Sequence, residues 1–290
     1  MTNAIIPEFQ LSAQTHAGNV ALKVLDLPKM VQFYTQVIGL ELLVNDETTA
    51  ALGTGTTPLL YLYQINGARA LGQRTGLYHT AFLLPSRKDL GNALFHYITT
   101  NAPLSGAADH IYSEALYLTD PEGNGIEVYR DKPRSEWIIK EDGEIVSDTL
   151  EIDAEGVLQT ADQQWSGFPA GTQVGHIHLS VADTSATQDF YTQILGLSLK
   201  TSFGPAARFF ATGGYHHHIG ANTWESLNAK ALADNESGLK YYSYYVPDQN
   251  ELDRIAQHMD QVKLNYRQTE DSKLWFIDPS GIVGRFELQP

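Results

Sequence analysis

"VALKVLDLPKMVQFYTQVIGLELL" (residues 20–43) returns as "IHLSVADTSATQDFYTQILGLSLK" (residues 177–200), and both copies carry FYTQ followed two residues later by GL. Self-similarity at one fixed distance divides the 290 residues into two homologous halves. Each half divides again. "GLYHTAFLLPSRKDLGNAL" (76–94) aligns with "GLKYYSYYVPDQNELDRIA" (238–256), and each is followed by a DP-x-G turn, DPEGNGIEVY from 120 and DPSGIVGRFEL from 278. The chain therefore reads as four units of roughly 50 to 60 residues.

Within a unit the pattern runs from an alternating strand through an amphipathic helix to short strands parted by glycine turns, a βαβββ order. Ile177, Leu179 and Val181 alternate with His176, His178 and Ser180, so an apolar face can lie under the helix while a polar face looks away. The expected class is α+β: four βαβββ modules forming two cup-shaped, curved mixed sheets with helices on their convex faces. The N-terminal half is placed at 1–130, with units at about 16–70 and 76–130. A connecting segment covers 131–172, charged and then rich in Gly and Pro, and the C-terminal half covers 173–290, with units at about 173–225 and 238–290. The connector is long enough to allow either pairing of units, neighbour with neighbour or second with third.

Composition narrows the function. Thirty-four acidic against nineteen basic side chains give a net charge of −15, which repels phosphate backbones and anionic lipid, so nucleic acid and membrane are not expected partners. A small molecule is. With no cysteine, disulfides, thiolate metal sites and a cysteine nucleophile are excluded, and a metal would take His, Asp, Glu or Tyr. No stretch is apolar enough to span a bilayer, and no basic segment followed by an apolar run opens the chain, so a cytoplasmic location is expected. A homo-oligomer is left open.

Three of the ten histidines stand side by side in "GGYHHHIGANTW" (213–224). On an extended strand His216 and His218 would share a polar face with Gly220 and Asn222, while His217 would turn away with Ile219. That face is expected to line a site.

Three further motifs, H-x-x-L-x-V-x-D (His176 to Asp183), FY-x-x-x-LG (Phe190 to Gly196) and DPEGN-x-IE (Asp120 to Glu127), resemble those of the vicinal oxygen chelate superfamily. Its members include glyoxalases, bleomycin-resistance proteins and extradiol ring-cleaving dioxygenases. Through GLYHTAFLLP, SEALYLTDPEGNGIEVYRDKPRSEW and GGYHHHIGANTW the chain is most similar to the bacillus-type catechol 2,3-dioxygenases. The resemblance implies metal ligands at the head of each unit's first strand, where Asn19, His79, His176 and Tyr241 stand, and at the end of the last strand, where Glu127 and Glu287 stand. Glu287 follows Asp278 by nine residues, whereas Glu127 follows Asp120 by seven.

If the second and third units share a cup, His79, Glu127 and His176 complete the two-histidine, one-carboxylate set of non-haem iron(II) oxygenases. His218, or else His216, would then be the acid/base, with Tyr129, Asn222 and His178 against the substrate. If the third and fourth pair instead, the ligands would be His176, His218 and Glu287. Fe(II), alternatively Mn(II), is the implied cofactor, and a small aromatic diol (catechol, a substituted catechol or hydroquinone) and dioxygen are the implied substrates. Two alternatives stand beside this reading: a glyoxalase-like metal-dependent lyase or isomerase with more carboxylate ligands, and a metal-free binding protein of the resistance type. Tyr112 and Tyr117 are further aromatic candidates, and His110 is noted because it precedes the SEALYL strand.

Overall fold

Strand, capping side chain and helix open every repeated unit in the computed structural model, which describes residues 4–69 and 72–289. The unit limits drawn at 1, 70 and 290 lie outside the described residues. The first unit holds β1 (His16–Val24), β2 (Glu41–Asn45), β3 (Thr49–Thr54) and β4 (Thr57–Gln64); the second holds β5 (Gly76–Leu83), β6 (Leu104–Asp109), β7 (Ser113–Thr119) and β8 (Gly125–Asp131). The third holds β9 (Gln173–Ser180), β10 (Ser198–Phe203), β11 (Ala207–Ala211) and β12 (Ile219–Asn222); the fourth holds β13 (Gly238–Val246), β14 (Arg267–Gln268), β15 (Leu274–Ile277) and β16 (Val283–Leu288). Helices α1 (Leu27–Gln32), α2 (Arg87–Thr99), α4 (Thr184–Asp189) and α5 (Gln249–Gln261) follow the first strands, and α3 (Ala154–Gln159) belongs to the connector.

The local chemistry repeats with the sequence. Asp26, Ser86, Asp183 and Asp248 each accept a backbone N–H of the first helical turn, a cap whose loss costs about 0.5–2 kcal/mol. Asp183, the last residue of the first-strand motif, is therefore a helix cap. The FYTQ segments form wide π turns at Phe33–Ile38 and Phe190–Ile194. Their tyrosines reach into the following unit. Tyr34 donates to Asp120 (2.9 Å) and Tyr191 to Asp278 (3.3 Å), so each FY motif is hooked to the DP-x-G turn of its neighbour.

Two eight-stranded sheets form among the described residues, in the orders β14-β15-β16-β13-β1-β4-β3-β2 and β10-β11-β12-β9-β5-β8-β7-β6. The first unit thus pairs with the fourth, and the second with the third. Antiparallel first strands make both seams, β1 with β13 and β5 with β9. Each half gives one unit to each sheet, and the Tyr–Asp hooks run between the sheets. Phe82, Val128, Ile177, Leu179, Tyr191 and Phe210 are fully buried in the apolar core under the helices, each worth about 1.5–3 kcal/mol of burial. No helix among the described residues is long and apolar enough to cross a membrane.

Candidate metal centre

On the concave face of the second sheet, the seam sets Ala81 opposite His176 on one side and opposite Glu127 on the other. Alternation along β5 puts His79 on that same face, two residues earlier. Ala81 presents only a methyl between the two polar neighbours, so they close over it. His79 Nε2 lies 3.0 Å from Glu127 Oε2 and 3.2 Å from His176 Nε2, and His176 Nε2 lies 3.3 Å from Glu127 Oε2. All three residues are buried and their ligand atoms can hold one metal ion. Cis ligands about 2.1 Å from a common ion are separated by about 3.0 Å, so the spacing suits three ligands on one face of an octahedron.

Electrostatics favours the same use. Burial raises the Glu127 carboxyl, but His176 and His79 overcome it and hold the group well below the usual carboxylate range. Burial pushes His176 down to about 4 against the pull of Glu127. At neutral pH the centre therefore offers a carboxylate and an unprotonated imidazole, the forms that ligate metals.

Register identifies the corresponding positions elsewhere. Two residues past His176, His178 lies opposite Gly220 on β12, so the third unit has a glycine where the second has Glu127. A Cβ at 220 would stand 2.9 Å from the His178 ring, which occupies the space of a fourth ligand. In the other sheet Asn19 takes the place of His176 and Tyr241 that of His79. Ser243 lies opposite Arg285, so Arg285 replaces Glu127. Its guanidinium donates to Glu287 (2.8 Å) and to Asn19 (3.3 Å) and lies 4.2 Å from the Tyr241 ring centre. An arginine cation thus occupies the first-and-fourth cup. The set His176, His218 and Glu287 is not assembled: Glu287 belongs to the other sheet.

The three histidines fall in the loop before β12, not on the strand, so simple alternation does not apply to them. His217, expected to turn away, lines the cavity over the metal ligands, with its ring centre 4.1 Å from that of His176. His216 stacks on Tyr112 at 4.2 Å and meets Asp131 through Nε2 (3.0 Å) and His217 through Nδ1 (2.7 Å). With His216 neutral, Asp131 accepts from His216 Nε2–H, His216 Nδ1 accepts from His217 Nδ1–H, and His217 Nε2 is left as a bare acceptor. Both nitrogens of His216 are engaged, and His218 lines a separate concavity. His216, whose ring centre is 6.1 Å from that of His176, does not line the cavity over the ligands, and neither does His218.

Of the expected substrate contacts, His178 lines the cavity, and its Nε2 is buried without a partner. Asn222 is fully buried, its oxygen accepting the Trp224 N–H. Tyr129 is also buried, its ring against His176 and its hydroxyl on that of Tyr215. Packing removes both from the cavity wall. Sequence reasoning left out Tyr78 and Trp224, which with Phe209 give an aromatic side to this cavity of about 860 Å³. Opposite them Tyr117 donates to His110 Nε2 (2.5 Å), because His110 Nδ1 donates to the Asp148 carbonyl. Arg285 could have been found from spacing, since it follows Asp278 by the seven residues that part Glu127 from Asp120.

Comparison with known proteins gives consistent results. The family model described as the Glyoxalase/Bleomycin resistance protein/Dioxygenase superfamily matches residues 16–128 and 173–282. A protein named catechol-2,3-dioxygenase, from Bacillus subtilis (strain 168), is 43% identical over 263 residues, covering 89% of this chain and 92% of its own. Among solved structures, one from Bacillus subtilis provisionally assigned as a dioxygenase superposes with a TM-score of 0.65 at 13% identity, covering 97% of this chain and 86% of that one. Glyoxalase I from Zea mays superposes at 0.57 and 13% identity, covering 94% and 92%. At such identities the structural matches speak for the fold alone.

Proposed function

The chain belongs to the glyoxalase/bleomycin resistance protein/dioxygenase superfamily, and we propose that within it this protein is an Fe(II)-dependent extradiol dioxygenase that cleaves catechol, a substituted catechol or a hydroquinone. The observation that carries the reading is the donor count: His79, Glu127 and His176 on one face, with Gly220 at the fourth position. Three protein ligands leave room for a bidentate diol and for dioxygen. Fe(II) bound there would supply Lewis acidity toward the diol and a path for electrons between the two substrates; Mn(II) is the alternative ion.

This chain's residues supply the proton chemistry. His217 Nε2, a bare acceptor facing the cavity and made a weak base by burial, would take a proton from a diol hydroxyl already made acidic by a bound Lewis acid and readily return it. His216 and Asp131 hold the tautomer that makes this possible. The Tyr117 hydroxyl, its hydrogen committed to His110, presents lone pairs to a second diol hydroxyl. Tyr78, Trp224 and Phe209 flank the ring and exclude water, and His178 Nε2 offers a hydrogen-bonding nitrogen between them.

The relative's name supports the same activity. A glyoxalase-like reaction is the second reading, because the matching family model spans glyoxalases as well as dioxygenases, but that class uses more carboxylate ligands and here the place is a glycine. Anaerobic reconstitution with Fe(II) is expected to give catechol-dependent oxygen uptake and a yellow ring-opened product, with zinc inactive because it has no redox chemistry. Turnover of a glutathione hemithioacetal without catechol-dependent oxygen uptake would overturn the assignment.

A further inference from the structure

Behind the histidine loop lies a second concavity of about 300 Å³, walled by the chain leading into β1, the start of β9 and the loop after β11. In a chain of net charge −15, its lining contains no carboxylate among the described residues. Arg134 lies at its edge, exposed, with no acidic partner among the described residues; its guanidinium carbon is 4.8 Å from the Trp137 ring centre. Gly214 makes room for that group. A Cβ there would stand 2.2 Å from Arg134 Nη2.

His218 supplies a second donor, and its tautomer is fixed. The Thr212 backbone N–H points at His218 Nδ1 (3.3 Å), which must accept, so the ring proton sits on Nε2. No hydrogen bond of that Nε2 is formed within the protein among the described residues. Thr15, whose hydroxyl is buried without a partner, lines the same concavity. Lys200 adds positive charge close by, its ammonium donating to the Gly213 carbonyl at 2.9 Å. The nearby carboxylate of Asp131 is engaged by His216.

We propose that this concavity is a binding site for a phosphate-class oxyanion held by the Arg134 guanidinium and the His218 Nε2–H. A planar guanidinium fork and a fixed N–H on the walls of one concavity can each take an oxygen of such a group. The site is separate from the metal centre, on the other side of the loop that carries His217.

Inorganic phosphate is the probe, titrated calorimetrically into the full-length protein at constant ionic strength, with chloride as the control. Saturable one-to-one binding is expected for phosphate and none for chloride. Arg134→Gln should weaken phosphate affinity at least tenfold. Gly214→Ala should do likewise with every charge retained, because the new methyl displaces the guanidinium. His218→Phe should weaken it too, and a thermal melt run without phosphate reports whether that variant is folded. Arg134→Gln and Gly214→Ala both binding phosphate like the parent protein would overturn the assignment. So would an equal response to chloride, or no phosphate binding by the parent at all, and binding confined to molar phosphate would mark an adventitious ion only.

Discussion

Glu127 and His176 approach each other across Ala81, and the methyl group between them sets the size of the opening. Ala81 is fully buried, so Ala81→Leu should put three extra carbons among the ligands. Metal content should fall, with about 1–3 kcal/mol of lost stability from overpacking, read by metal analysis and denaturant melts. Alanine at His79, Glu127 or His176 should each deplete the metal, whereas Tyr241→Ala should leave it in place; equal losses at all four positions would contradict the assignment of the cup. For His217 the expectation is different. His217→Phe should retain metal yet slow turnover by about 10² to 10⁴-fold, the usual worth of a general acid/base, in a steady-state oxygen-uptake assay. The ligand types were legible from the sequence because motif positions name them. The direction of the three histidines was not, because it rests on the loop's backbone and not on a two-residue period.

At the scale of the elements, the repeat and its caps made the four units readable, since a capping aspartate and a glycine turn have the same physical job in each copy. Which first strands pair was open in the sequence, because all four alternate in the same way. The structure resolves it through the β5–β9 and β1–β13 seams. Between equivalent strands β8 and β16 the decisive exchange is carboxylate to guanidinium. Arg285 and Glu287 are both buried and bonded to each other and to Asn19. Removing Arg285 leaves the buried Glu287 carboxylate with Asn19 and only the more distant Lys273 ammonium at 3.8 Å, so Arg285→Met should cost up to about 3–5 kcal/mol in a urea melt. The double change Arg285→Met with Glu287→Leu should recover much of that loss, since two apolar side chains replace a desolvated pair. Metal content of the other cup should be unchanged in both. A single variant as stable as the parent would show that the pair contributes no such constraint.

Across the whole molecule, exchange of units between sheets makes the metal centre depend on both halves, with His79 and Glu127 from one and His176 from the other. The same burial that assembles it sets how the protein responds to acid. His176 is pushed down to about 4, and burial holds His178, His217 and His218 well below the ordinary histidine value. The unfolded chain protonates these rings near pH 6.5, so below that pH it binds protons the folded state refuses, and stability falls as the pH drops. Asp278, raised to about 6 by burial, and Asp120, raised in the same sense, work oppositely. Their folded carboxyls take protons before the unfolded ones do and offset part of that loss. His96 and His258 are lowered by burial as well, so the depressed histidines outnumber the two carboxyls, and the net effect is a loss of stability as the pH falls below the ordinary histidine range, at about 1.4 kcal/mol per pH unit for each net proton. The metal-free protein should therefore unfold cooperatively in mild acid with a net uptake of protons, as followed by circular dichroism with potentiometric titration. Metal occupies the nitrogens that acid must protonate, so the loaded protein should unfold at a lower pH than the metal-free one. Stability that stayed flat from pH 6.5 to 4.5, with no dependence on metal, would mean that the histidines are not held neutral by the fold.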